Sequence, residues 1–106
     1  MQTQHNIYIG ASQNMSKTED HSVDLIVTSP PYPMIEMWDD ILAKQNPKIK
    51  DALSNNPNEA FELMHHELDL VWTECYRVLK DGGFLCINIG DATRTINSNF
   101  SLFNNH

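Results

Sequence analysis

The chemistry in this chain is written most sharply in four consecutive residues, Ser29-Pro30-Pro31-Tyr32. A proline pair has no backbone N–H and a fixed φ, so it stiffens a loop and leaves its carbonyls without local amide donors. Carbonyls of this kind beside a serine hydroxyl can accept hydrogen bonds from an exocyclic NH2 group. Tyr32 adds a flat face on which a nucleobase could stack. Chemistry at a base amine needs such parts. The lone pair of cytosine N4 or adenine N6 is delocalised into the ring, so the amine is a poor nucleophile. Two acceptors holding its two hydrogens favour pyramidalisation and turn the lone pair toward an electrophilic methyl group. Serine is no strong base, so positioning and electrostatics would carry most of the rate. The plain alternative is that residues 29–32 are only a polyproline-like exit from a strand.

Such a loop has to be held by the elements around it. Val23-Asp24-Leu25-Ile26-Val27-Thr28 is an apolar, β-branched run interrupted only by Asp24, which reads as a buried strand of a parallel sheet. In open α/β sheets ligands lie outside the carboxyl ends of the strands, where residues 29–32 stand. Upstream, residues 6–10 read as a short strand ending at glycine, and residues 11–17 as a helical turn capped by Ser12. Residues 34–56 read as an irregular, partly helical excursion, broken at Pro47 and again before Pro57, and as a candidate substrate loop. Residues 58–80 form the clearest helix. Phe61, Met64, Leu68, Val71, Trp72, Cys75, Val78 and Leu79 make one apolar stripe, with Pro57 in the first turn and Gly82 or Gly83 as the stop. Residues 84–89 read as a second buried strand closed by Gly90-Asp91. Strand, helix, strand predicts a right-handed βαβ unit with its two strands parallel and adjacent. From Ala92 onward the text is polar and no closing element is visible.

At 106 residues the ceiling is one compact domain. The net charge of -7 argues against this chain alone gripping nucleic acid, because phosphate binding needs Lys and Arg. No segment approaches the ~20 apolar residues needed to span a bilayer. Residues 1–6 lack the basic and apolar regions of a secretory signal, so neither membrane nor secretion is expected. Cys75 and Cys86 both fall in apolar patterns and read as buried free thiols in a reducing cytoplasm. His65 and His66 with Glu62 and Asp69 have spacings a metal could use, but exposed helix polarity is the simpler reading and no metal is expected. Trp38 and Trp72 read as core or cover, with base stacking as the alternative for Trp38. Asp91 either lines a pocket or caps the next turn. Gly82-Gly83 is no phosphate cradle, because no Lys-Ser/Thr pair follows.

The run Asp24-Leu25-Ile26-Val27-Thr28-Ser29-Pro30-Pro31-Tyr32 resembles the catalytic motif of the DNA amino-methyltransferases of restriction-modification systems. Its Ser-Pro-Pro-Tyr form is similar to the cytosine-N4 enzymes, Asp or Asn in first place being more usual for adenine N6. Ile7-Tyr8-Ile9-Gly10 is similar to that family's opening strand. Arg77-Val78-Leu79-Lys80-Asp81-Gly82-Gly83-Phe84 and Ile87-Asn88-Ile89-Gly90-Asp91 resemble the helix and strand after its catalytic loop. The resemblance implies an α/β, partial Rossmann-like S-adenosylmethionine-dependent methyltransferase fold with a mostly parallel sheet. It implies Ser29, Pro30, Pro31 and Tyr32 as the catalytic residues. Gly10 and Ala11, with Ser29 and Pro30, would border S-adenosylmethionine, and no metal would be involved. Two features depart from the pattern. Ala11 stands where the family often has Asp, and no Phe-x-Gly-x-Gly cofactor loop is present. The chain is therefore expected to be the N-terminal, catalytic-motif portion of a cytoplasmic enzyme acting on DNA, inactive alone, and to associate with itself or a complementary chain. A non-catalytic half, or a protein-amide methyltransferase, which would favour Asn where Ser29 stands, are the alternatives.

Overall fold

The computed structural model describes residues 2–96 and 99–103, the last five by their backbone. Strand β1 (Val23–Thr28) pairs in parallel with β2 (Leu79–Ile87), in the register Leu25↔Phe84 to Thr28↔Ile87. The chain between them forms a 3-10 turn at Glu36–Trp38, then α1 (Asp39–Gln45), α2 (Lys48–Asn55) and the long α3 (Pro57–Val78). Strands β3 (Ala92–Ile96) and β4 (Asn99–Phe103) follow as an antiparallel hairpin in a separate sheet. The architecture is mixed α/β, with the expected parallel pair, but neither strand is buried as its apolar run predicts, because only one face of the pair is covered. The second sheet, where no closing element was foreseen, is antiparallel: Ala92 is buried in the core, so this polar text closes the molecule through its backbone ladder.

Helix α3 starts as its sequence requires. The Asn56 side chain accepts from the Glu59 N–H at 3.3 Å, Pro57 occupies the first turn, and Glu59 lies at the positive helix end. The helix ends at Val78, not at the glycine pair. Leu79 already has extended geometry (φ -71, ψ 136) and begins β2. The glycines serve a bulge instead, since the register jumps from Val23↔Leu79 to Leu25↔Phe84. Gly82 has φ 77, and a Cβ on Gly83 would stand 3.0 Å from Leu79 Cδ2 and 3.2 Å from the Asp24 carbonyl.

The core corrects the reading of residues 34–56. Met34, Leu42, Ile49, Ala52, Ala60, Met64 and Ala92 form one buried cluster, so the partly helical excursion is two core-forming helices, α1 and α2, and not an irregular segment. The spacing Ile49, Ala52 places one face of α2 against α3. Each fully buried Leu, Ile or Met contributes about 1.5–3 kcal/mol by removal from water. Trp38 covers this cluster. Arg94 of β3 forks onto Asp39 of α1 at 2.8 and 2.7 Å, tying the hairpin to the helices, and this bidentate bond holds its guanidinium more firmly protonated.

Two other expectations fail for want of partners. Residues 6–10 form no strand, with Ile7 89% and Ile9 99% exposed, because no described strand lies alongside to take their hydrogen bonds. Residues 11–17 make turns instead of a capped helix. The Asn14 side chain accepts from the Ser16 N–H at 3.0 Å, a local bond that competes with helix formation. The parallel pair has an open face, where Leu25, Val27 and Phe84 are 55%, 74% and 70% exposed. Cys86 opens onto that face by strand alternation, so only Cys75 is the buried thiol expected of both, and burial pushes its pKa up. The radius of gyration is 16.1 Å, against about 13 Å for a compact domain of this length. The chain is elongated.

Candidate active site

Residues 29–32 leave the carboxyl end of β1, where that strand ends beside β2. The ladder runs one step further as the Asn88 N–H donates to the Thr28 carbonyl at 2.9 Å, which sets the Asn88 carbonyl next to the loop. Ser29 Oγ donates to this carbonyl at 3.3 Å and the Tyr32 hydroxyl donates to it at 3.2 Å. One backbone oxygen thus takes both hydroxyl protons with its two lone pairs. The consequence is chemical: with its proton committed, Ser29 Oγ offers lone pairs outward, as an acceptor for an amino group. Among the described residues no donor reaches the Pro30 carbonyl, which leaves a second acceptor on the same loop.

The loop is held from below. Pro30 and Pro33 are buried. Met34 has φ 69, a left-handed conformation that strains a non-glycine residue. Its buried side chain sits in the core, and its N–H meets Met64 Sδ at 3.3 Å, so packing enforces the turn. The Tyr32 ring is half-buried, and a Cβ at Gly90 would stand 3.8 Å from Tyr32 Cε2.

A cleft of about 260 Å³ opens beside the loop. Gly10, Ala11 and Gln13 line it together with Ser29, Pro30 and Pro31, and Gln45, Leu68 and Val71 complete its walls. The residues the sequence reading assigned to the methyl-donor side therefore meet at one cavity, although residues 6–10 form no strand. No charged side chain lines the cleft among the described residues. Tyr32 is not among the lining residues; its hydroxyl is turned to Asn88. His65 and His66 do not join a ligand set: no three His, Cys, Asp or Glu side chains converge among the described residues, and His65 packs edge-on to Phe61 at 4.5 Å.

The sequence reading missed the role of Asn88, because a backbone carbonyl leaves no side-chain signature. The only available signal was the pairing of the two strand ends. It also missed Leu68 and Val71 as cleft walls, since a helical stripe does not say which of its members face a cavity.

The sequence model of the DNA methylase family for N6 and N4 enzymes matches residues 23–105. The type II methyltransferase M.MthZI of Methanothermobacter thermautotrophicus is 47% identical over 108 residues, which take in 100% of this chain and 30% of that protein. The type II methyltransferase M.MjaI of Methanocaldococcus jannaschii is 48% identical over 116 residues, 98% of this chain and 38% of that protein. The chain thus spans about a third of the length of these curated relatives. No solved structure matches it. With the family match running from β1 through the Ser29-Tyr32 loop to the hairpin, the chain belongs to the N6/N4 DNA methylase family, the DNA amino-methyltransferases.

Proposed function

We propose that this chain is the catalytic-loop portion of a cytoplasmic restriction-modification enzyme that transfers a methyl group from S-adenosylmethionine to an exocyclic amine in DNA, cytosine N4 in preference to adenine N6. The observation that carries the reading is the shared hydrogen bonding of Ser29 and Tyr32 to Asn88 at the ends of two parallel strands. Ser29 Oγ and the Pro30 carbonyl accept the two amine hydrogens and so localise the nitrogen lone pair. Tyr32 offers its ring to the base once it has left the duplex stack. The uncharged cleft at Gly10, Ala11, Ser29 and Pro30 borders the sulfonium end of the donor, whose contribution is an electrophilic methyl. At about 260 Å³ it falls below the ~300–1,000 Å³ of ordinary ligand pockets, so these residues fit one end of the donor and not the whole.

The remainder of the site lies outside this stretch, which spans about a third of its relatives' length. Among the described residues β1 pairs with β2 alone, which leaves its other edge open, and Leu25, Val27 and Phe84 expose an apolar face. With a net charge of -7 on this stretch, the basic surface for DNA is expected elsewhere in the enzyme.

A chimera tests the reading: M.MjaI with its matched segment replaced by this chain, assayed for methyl transfer to DNA, with the modified nucleosides identified by mass spectrometry. The expected product is N4-methylcytosine, abolished by Ser29→Ala. N6-methyladenine would overturn the choice of base, and a folded chimera without transfer would overturn the function.

A further inference from the structure

The cleft wall at Gly10, Ala11 and Gln13 lies on a stretch without helix or strand, yet its course is fixed by one pair of side chains on α3. The Met15 N–H donates to Glu74 Oε2 at 2.6 Å, and Arg77 Nη2 donates to the Met15 carbonyl at 2.8 Å. Both backbone groups of one loop residue are therefore held by the same ion pair. Arg77 Nη1 reaches the Thr18 carbonyl at 2.9 Å and Asp20 Oδ1 at 2.7 Å. Its Nε and Nη2 grip the two Glu74 oxygens at 3.0 Å each. All five guanidinium donors are used, in a planar fork that an ammonium group cannot reproduce.

We infer that Arg77, oriented by Glu74, is a positioning residue for the methyl donor, holding residues 11–18 so that Gly10, Ala11 and Gln13 stand opposite Ser29 and Pro30. The inference rests on reading that cleft as the donor's wall. Arg77 touches no reacting atom; it acts through the loop. Its neighbours support the assignment. The His21 N–H and the Ser22 N–H bond the Arg77 and Val78 carbonyls at 2.9 and 2.8 Å, which anchors the far end of the segment independently of the guanidinium. At the cleft end, Gln13 Nε2 donates to Gln45 Oε1 at 2.9 Å, an exposed contact between two flexible side chains. Between these ends the ion pair is the principal restraint.

The test is an amide NMR titration of the whole chain with S-adenosylhomocysteine into the millimolar range, with hydrogen exchange recorded alongside. In the wild type the amides of Gly10, Ala11, Gln13 and Ser29 shift together. In Arg77→Lys, which keeps the charge and loses the fork, a wall held in place about a fifth of the time raises the apparent Kd about fivefold. Exchange at Met15 and Thr18 speeds up while β1 and β2 stay protected. An unchanged Kd in Arg77→Lys, with the wild-type shifts present, overturns the positioning role. Absence of cleft shifts in the wild type overturns the donor-wall reading beneath it, whatever Arg77 does to exchange. If Arg77→Lys unfolds the chain, Glu74→Gln decides. It leaves an amide oxygen for Met15 and a smaller rise in Kd is expected, and no rise overturns the inference.

Discussion

Tyr32 and Asn88, 56 positions apart in sequence, are joined by a 3.2 Å hydrogen bond from the phenol to a backbone carbonyl that also takes the proton of Ser29. On the proposed reading the bond would separate two roles of Tyr32, the hydroxyl setting the loop and the half-buried ring serving a base. In the M.MjaI chimera, Tyr32→Phe should keep the ring and lose one neutral hydrogen bond, for a two- to tenfold fall in kcat, about 0.5–1.5 kcal/mol. Tyr32→Ala should lose roughly 1–3 kcal/mol of base stacking besides. It should lower methylation more than donor binding, measured by single-turnover transfer and equilibrium titration. Equal losses would move Tyr32 to the donor side.

The isolated chain should bind S-adenosylmethionine only weakly, with a Kd far above the micromolar range. Its cleft holds no charged side chain among the described residues and is too small for the whole donor. Calorimetry giving a micromolar Kd would show that the donor is held without the glycine-rich loop.

The open face of the parallel pair should drive association with a second copy or a complementary chain. Sedimentation at micromolar concentration is expected to show complexes, which Val27→Lys on the exposed face should disperse. Thiol labelling gives an independent reading: Cys86 should react readily in the monomer and be protected in the complex. Cys75, buried and with a raised pKa, should stay unreactive until the chain unfolds. A monomer at all concentrations would show that the exposed face of Leu25, Val27 and Phe84 needs no partner.

The clamp on Met15 should be pH-dependent in one direction. Hydrogen bonds from Arg77 and then from the Met15 N–H hold the Glu74 carboxyl below its usual value of 4.5, while Asp20 shares the same guanidinium. A depressed carboxylate stabilises the fold above its unfolded pKa, and that contribution disappears as pH falls through the folded value. The difference in Tm between wild type and Glu74→Gln should therefore be constant near neutrality and shrink below about pH 4.5. A difference that persists at low pH would mean that Glu74 acts by packing alone.

Legibility in the sequence followed the range of the forces involved. The strand Val23–Thr28, a helix over 58–80 and a strand over 84–89 were readable because period and β-branching act within a few residues, although the second strand in fact runs Leu79–Ile87. The Ser29–Tyr32 loop was readable for the same reason, since proline stiffens its own neighbourhood whatever the rest of the chain does. Tertiary structure decided where long-range partners compete. Residues 6–10 have the composition of a strand but no described neighbour to pair with. The glycine pair suits a helix stop equally well, but the approach of Gly83 to the Asp24 carbonyl turned it into a bulge. The helices at 39–55 looked irregular because their apolar residues are sparse, and only packing against Met64 and Ala92 makes them core. The convergence of Ser29 and Tyr32 on the carbonyl of Asn88, and of Arg77 on Met15, depends on main-chain atoms that every residue carries, so no residue type announced them and only the fold could select them.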